Sequence, residues 1–218
     1  MRRLALIQRD PFRIAALCRS ALDSKQTAKE SEEMTDHGQP FSCVEIDTPR
    51  LDLVPVTVAS LQCQLGFTSG MYSSLSQLLQ AEIPAEWPHE NWEPHVLDYL
   101  LNLLTEHPES LGWCRYLLLR ERGRRILIGT FGCGLPQAET GEAELGYGLL
   151  PAWQRQGLAA EAVQAMMPWI VAQQPIRAFV AHTYPELRGS IRVLEKCGFL
   201  PAGPGLEERT VLYRRSVP

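Results

Sequence analysis

The segment PAWQRQGLAAEA, residues 151–162, follows the apolar run AELGYGLL and sets a glycine among polar side chains just ahead of a helix-forming stretch. The first turn of an α-helix carries backbone N–H groups with no partner inside the helix, and the aligned peptide dipoles place partial positive charge there. A phosphate suits that site. Gly157 permits backbone angles and a close approach that a Cβ forbids, Ala159 keeps the helix start open, and Gln154, Arg155 and Gln156 add donors nearby. Taken alone, the hexapeptide QRQGLA fits an ordinary strand-to-helix connection equally well.

The elements that must position this turn follow from periodicity. RLDLVPV alternates apolar residues as a strand does, and Thr57 caps a helix through VASLQCQLGF, which TSGMYSSLSQLLQ continues. AEIPAEWPHENWEP, residues 81–94, holds three prolines and reads as a loop, whereas HVLDYLLNLLTEH spaces its apolar residues as a helix. GWCRYLLLRE and RRILIGTFGC flank the turn residues Arg122 and Gly123 and predict a hairpin. Then come the strand EAELGYGLL, the helix GLAAEAVQAMMPWIVAQ, the strand IRAFVAHTY and the helix LRGSIRVLEKCGF. FLPAG and TVLYRR supply a last strand pair. This order predicts an α/β chain with a mixed sheet and helices on both faces.

Composition narrows the partners. A net charge of −4 argues against a general nucleic-acid-binding surface, and no apolar stretch approaches the roughly 18 residues that span a bilayer. The six cysteines form no C-x-x-C pair and no metal-like spacing with the five histidines, as in a reduced, cytoplasmic protein without a metal. Residues 1–33 carry seven Lys or Arg against five Asp or Glu, and Met34 opens a segment that looks like a fresh N-terminus. We therefore read 1–33 as an extension, flexible, partly helical or upstream of the native start, and 34–218 as the folded domain.

Three motifs occur in order within residues 48–218: TPRLDLVPV, ELGYGLLPAWQRQGLAAEAV and AHTYPELRGSIRVLEKCGF. Together they resemble the opening strand, the acetyl-CoA motif and the second cofactor motif of the GNAT acetyltransferase superfamily, in its Rim-type ribosomal-protein N-terminal acetyltransferase branch. The resemblance implies an α+β fold with a mixed, mostly antiparallel central sheet. It also implies acetyl-CoA as cosubstrate and acetylation of a primary amine, on a protein N-terminus or a small molecule, by direct attack in a ternary complex. Neither nucleic acid nor membrane is an expected partner, and a homodimer is compatible with this reading.

The same resemblance implies roles for particular residues. Backbone N–H groups of Gln156, Gly157, Leu158 and Ala159 take the diphosphate, with Gln154 at the family's Gln/Arg position. Gly148, Leu149 and Leu150 pair with the pantetheine amides as a strand does, and Ser190 helps orient coenzyme A. The attacking amine must lose a proton. Glu144 is the first candidate base, since superfamily members often place a glutamate on this strand, although a solvent-facing carboxylate at a strand end reads the same way. His182 is the alternative, although a lone histidine is commonly structural.

Two positions depart from the pattern. Leu187 stands where the family's Asn-x-x-Ser motif has its asparagine, and Leu194 stands where a tyrosine commonly protonates the departing thiolate; Tyr184 is a nearby phenol. These departures keep open a second class, a non-catalytic GNAT-fold module that binds an acyl-CoA as a sensor or interaction domain. Trp87, Trp92 and Trp153 read as packing or cleft-capping residues, and the loop 81–94 as shaping the acceptor pocket. His89 and His95 have no evident third ligand.

Overall fold

Alternating apolar residues build one eight-stranded sheet in the computed structural model, which describes residues 44–66, 71–90 and 92–218. The expected extension at 1–33 lies outside the described residues. The strands are β1 (Ile46–Asp47), β2 (Leu51–Pro55), β3 (Cys114–Glu121), β4 (Arg124–Cys133), β5 (Glu142–Leu149), β6 (Ala178–Thr183), β7 (Leu200–Pro204) and β8 (Val211–Ser216). They lie in the order β1-β2-β3-β4-β5-β6-β8-β7, and β5–β6 is the parallel pair in an otherwise antiparallel sheet.

The helices α1 (Val58–Leu65), α2 (Met71–Leu79), α3 (Pro94–Glu106), α4 (Leu158–Gln173) and α5 (Arg188–Lys196) cover both faces. Successive residues of a strand point to opposite sides. Tyr116 and Leu118 accordingly join Leu61, Leu75 and Leu97 in the α1–α3 core, while Leu117 joins Val163, Met166 and Leu194 in the α4–α5 core. Thr57 caps α1 as its sequence predicts, in a reciprocal box: Ser60 N–H donates to Thr57 Oγ1 at 3.2 Å, and Thr57 N–H donates to Ser60 Oγ at 2.9 Å.

Arg115 is fully buried on β3, a position that demands partners for its charge. Its guanidinium donates to the carbonyls of Gly112, Leu53 and Val44 and lies 4.7 Å from the ring centre of Trp169 on α4. The two outer strands are both blunted: β1 has two residues, and the exposed β7 carries Pro201 and Pro204.

β5 changes partners along its length. Glu142, Ala143 and Glu144 pair with Ala178, Phe179 and Val180 of β6, whereas Leu145 to Leu149 pair with Cys133 to Gly129 of β4. Beyond Glu144 the parallel neighbours splay apart, and the sheet opens into a wedge.

Candidate active site

The ladder determines which backbone groups face the wedge. Gly134 N–H donates to the carbonyl of Glu144, and Leu150 N–H donates to that of Ile128, so the even-numbered residues 144–150 turn their backbone groups toward β4. By alternation, Leu145, Tyr147 and Leu149 turn theirs toward β6. Of the three residues expected to pair with pantetheine, only Leu149 thus faces the wedge; Gly148 and Leu150 face β4. Gly148 has a different need for glycine, because a Cβ there would lie 2.5 Å from Cε1 of His89.

The turn at 154–157, expected from the sequence to take a diphosphate, has two left-handed residues and side chains bonded to its own neighbourhood. Gly157 sits at φ +82° and Arg155 at φ +61°, both in the left-handed region. The first bond of α4 runs from Glu161 N–H to the Gly157 carbonyl, leaving the N–H groups of Leu158, Ala159 and Ala160 ahead of it. Two of the three side chains expected to supply anion donors instead fold back onto nearby carbonyls, though both remain exposed. The Gln154 amide donates to the Leu149 carbonyl at 2.9 Å, and the Gln156 amide donates to the Ala152 carbonyl at 3.1 Å. Arg155 is exposed. A Cβ on Gly157 would meet Arg50 Nη2 at an ordinary 3.6 Å, so its positive φ, rather than crowding, is what requires glycine.

Glu144 and His182, separate candidates in the sequence, are in contact. His182 Nδ1 lies 2.8 Å from Glu144 Oε1, with the side chains 17% and 14% exposed. With the carboxylate ionised, Nδ1 is the donor, and the imidazole lone pair is on Nε2. The other carboxylate oxygen, Oε2, is buried without a hydrogen-bond partner among the described residues. An unmet buried acceptor costs ~1–3 kcal/mol, more when charged, so native structures keep few of them.

Ser190 meets the wedge from α5. The Tyr147 phenol donates to the Ser190 carbonyl at 3.1 Å and lies 3.3 Å from its Oγ, linking β5 to α5. Burial raises the phenol's pKa against the lowering effect of Ser190, so it stays protonated through neutral pH. Tyr147 escaped the sequence reading because its alternation with Leu145 and Leu149 looks like packing. Leu194 is buried in the α4–α5 core and Leu187 is partly exposed, so neither supplies the polar group of the family pattern.

The loop 81–94 reaches the same strand from the α1–α3 face. His89 Nε2 lies 2.8 Å from Thr130 Oγ1, and desolvation lowers the His89 pKa to about 4. Gln64 anchors the loop: its buried Oε1 accepts from the indoles of Trp87 and Trp92 at 3.3 and 2.9 Å, and its Nε2 donates to the Tyr116 hydroxyl at 2.7 Å. The two tryptophans therefore pack, as expected. Beside them, an almost wholly apolar cavity lies between α3 and β4, lined by Val96, Leu100, Leu103, Thr130, Gly132 and Gly134. Thr130 and Gly132 oppose Gly148 and Gly146, while Gly134 bonds Glu144. Directly opposed residues share a face, so the cavity floor continues onto the Glu144 carboxylate across glycines.

Among the described residues, no group of three or more His, Cys, Asp or Glu could hold a metal ion, and no helix is long and apolar enough to cross a membrane.

The GNAT acetyltransferase domain family matches residues 75–200. An uncharacterized N-acetyltransferase of Bacillus subtilis (strain 168), YjdG, is 25% identical over 132 residues, covering 61% of this chain and 77% of the relative. The ribosomal-protein-S5-alanine acetyltransferase from Vibrio fischeri superposes with a TM-score of 0.55 at 16% identity, over 79% of this chain and 96% of that one. RimL, a ribosomal L7/L12 alpha-N-protein acetyltransferase in complex with coenzyme A, gives 0.51 at 19% identity, over 78% and 96%. These structures share the mixed, mostly antiparallel fold. Because the family match runs from α2 to β7, over more than half of the sequence, the chain belongs to the GNAT acetyltransferase family.

Proposed function

We propose that the protein transfers an acetyl group from acetyl-CoA to a primary amine by direct attack in a ternary complex, with Glu144 as the proton acceptor. The observation that carries this reading is the buried, unpartnered Oε2 of Glu144, held beside the wedge while His182 engages Oε1. Acetyl-CoA supplies the acetyl group already activated as a thioester. The N–H groups that open α4 suit its diphosphate, and the backbone of Leu145 and Tyr147 suits its extended amide chain.

An amine arrives largely protonated, since lysine amines have pKa values near 10.4 and α-amines about 7.7–8.0. In this reading Oε2 takes one proton from the incoming ammonium, the neutral nitrogen forms the C–N bond at the thioester carbonyl, and a second N–H proton passes to solvent as the C–S bond breaks. His182 Nδ1–H keeps the carboxylate oriented. The departing thiol has an ordinary pKa near 8.5, so solvent can protonate it without the missing tyrosine. The acceptor enters from the α1–α3 face, where the adjoining cavity favours an amine carrying an apolar substituent.

RimL and the Vibrio fischeri enzyme carry ribosomal proteins in their names, which favours a protein N-terminus over a small molecule as acceptor. The test is coenzyme A release with a panel of peptide N-termini and small amines, matched except for an apolar, polar or charged group beside the amine. Turnover should appear, fastest with the apolar members. Acyl-CoA binding without release for any amine would defeat the reading and favour the non-catalytic sensor.

A further inference from the structure

We propose that Arg50 is a positioning residue for the coenzyme A diphosphate, bracing the turn 154–157 from behind; this rests on the cofactor reading above. Arg50 lies in the turn between β1 and β2, far in sequence from the segment it holds. Its Nη1 donates to the Gln156 carbonyl at 2.9 Å. Its Nε and Nη2 engage Glu161 Oε2, each at 2.7 Å, while its own backbone N–H donates to Glu161 Oε1 at 2.8 Å. Thr48 Oγ1 donates to the same oxygen at 2.6 Å.

A trans peptide is planar, and its carbonyl and the following N–H point in opposite directions. With the Gln156 carbonyl fixed toward Arg50, the Gly157 N–H points to the other side of the turn, away from the β1–β2 connection. That is the donor an incoming diphosphate needs, and it is oriented before the ligand arrives. A planar fork can hold a carboxylate and a carbonyl together, which an ammonium on a flexible stem does poorly.

Charge adds a second effect. Glu161 lies in the first turn of α4, where an unpaired carboxylate would repel a diphosphate. Burial acts to raise its pKa, but the hydrogen bonds from Thr48 and Arg50 and the Arg50 charge outweigh that and lower it. The pair therefore stays ionised and closed through neutral pH. The Arg50 side chain is 45% exposed, and exposed ion pairs add little to global stability. Its loss should disturb the turn far more than the fold.

The experiment is calorimetric titration of wild type, Arg50→Ala, Arg50→Lys and Glu161→Gln with coenzyme A, 3′-dephospho-coenzyme A and pantetheine, alongside thermal melts. Arg50→Ala should weaken both diphosphate ligands about tenfold, leave pantetheine affinity and melting temperature nearly unchanged, and be only partly rescued by lysine. Glu161→Gln keeps the carbonyl contact and should lose less. Equal affinities of wild type and Arg50→Ala for coenzyme A would overturn the proposal. So would an equal loss for pantetheine, or a loss confined to coenzyme A that marks its 3′-phosphate as the group recognised. A wild type that binds none of the three would instead sink the cofactor reading, and this inference with it.

Discussion

On the α4–α5 face, hydrogen-bonding side chains such as Arg50, Thr48 and Glu161 sit at the rim of an aliphatic and aromatic core, whereas the α1–α3 face buries a polar hub beneath its tryptophans. The first arrangement leaves recognition to the backbone: a turn, a helix start and one side of β5. The second spends buried hydrogen bonds on fixing an irregular loop, 81–94, over the strand that lines the wedge. On the proposed reading the cofactor is constant and the acceptor particular, and fixed geometry is needed for both. On one side Arg50 and Glu161 brace a backbone turn from its rim, and on the other buried side chains hold a whole loop.

The strongest way to break this comparison is at the boundary between the faces. Glu144→Gln removes proton acceptance while keeping size and hydrogen bonding, so turnover should fall roughly 10²- to 10⁴-fold with coenzyme A affinity unchanged. Retention of half the wild-type rate across the pH profile would transfer the role to His182 or to the neutral amine itself. A smaller effect comes from Gln64→Leu, which removes the acceptor shared by the Trp87 and Trp92 indoles and one of the two partners of the Tyr116 hydroxyl, the other being Ser60 Oγ. Denaturant titration should show a loss of about 4 kcal/mol, within what two buried donors that lose their acceptor cost, and the acceptor KM should rise while coenzyme A affinity holds. If both ligands weaken equally, the two faces are not independent.

The smallest expected effect sharpens the comparison through pH. The His89 pKa is lowered from 6.5 to about 4 in the folded state, so the unfolded chain takes up this proton first as pH falls. The stability it contributes is complete above pH 6.5 and lost progressively down to about pH 4. The loss is about 3 kcal/mol on that shift. His89→Gln should flatten the slope of stability against pH in this window relative to wild type. Parallel slopes would place the imidazole in water and loosen the loop from β5.

Much of the fold is legible in local chemistry. The Thr57 cap, the β3–β4 hairpin and the strand–helix–strand order each rest on residues within a few positions of one another. The turn QRQGLA is legible for the same reason. What escaped depends on distant partners. Glu144 and His182 read as alternatives because nothing in either segment reveals that parallel pairing of β5 and β6 brings them together. The amides of Gln154 and Gln156 are a local exception, since their acceptors lie only five and four residues back and the fold of the turn decides which carbonyls they reach. Arg50 looks like a strand-start arginine until the sheet lays it against α4. Gly148 looks like part of a cofactor strand, yet its missing side chain makes room for an imidazole about 60 residues earlier in the chain.

The blunted outer strands have a consequence for self-association. A neighbouring molecule that tried to extend the sheet would find two residues on one flank and, on the other, a five-residue strand with two positions that have no N–H to offer. Inside the wedge, by contrast, β5 has no β6 partner beyond Glu144, and Tyr147 turns its backbone groups toward that gap in the sheet. The perimeter thus discourages fibrous stacking, and strand-like pairing is left to the interior of the sheet.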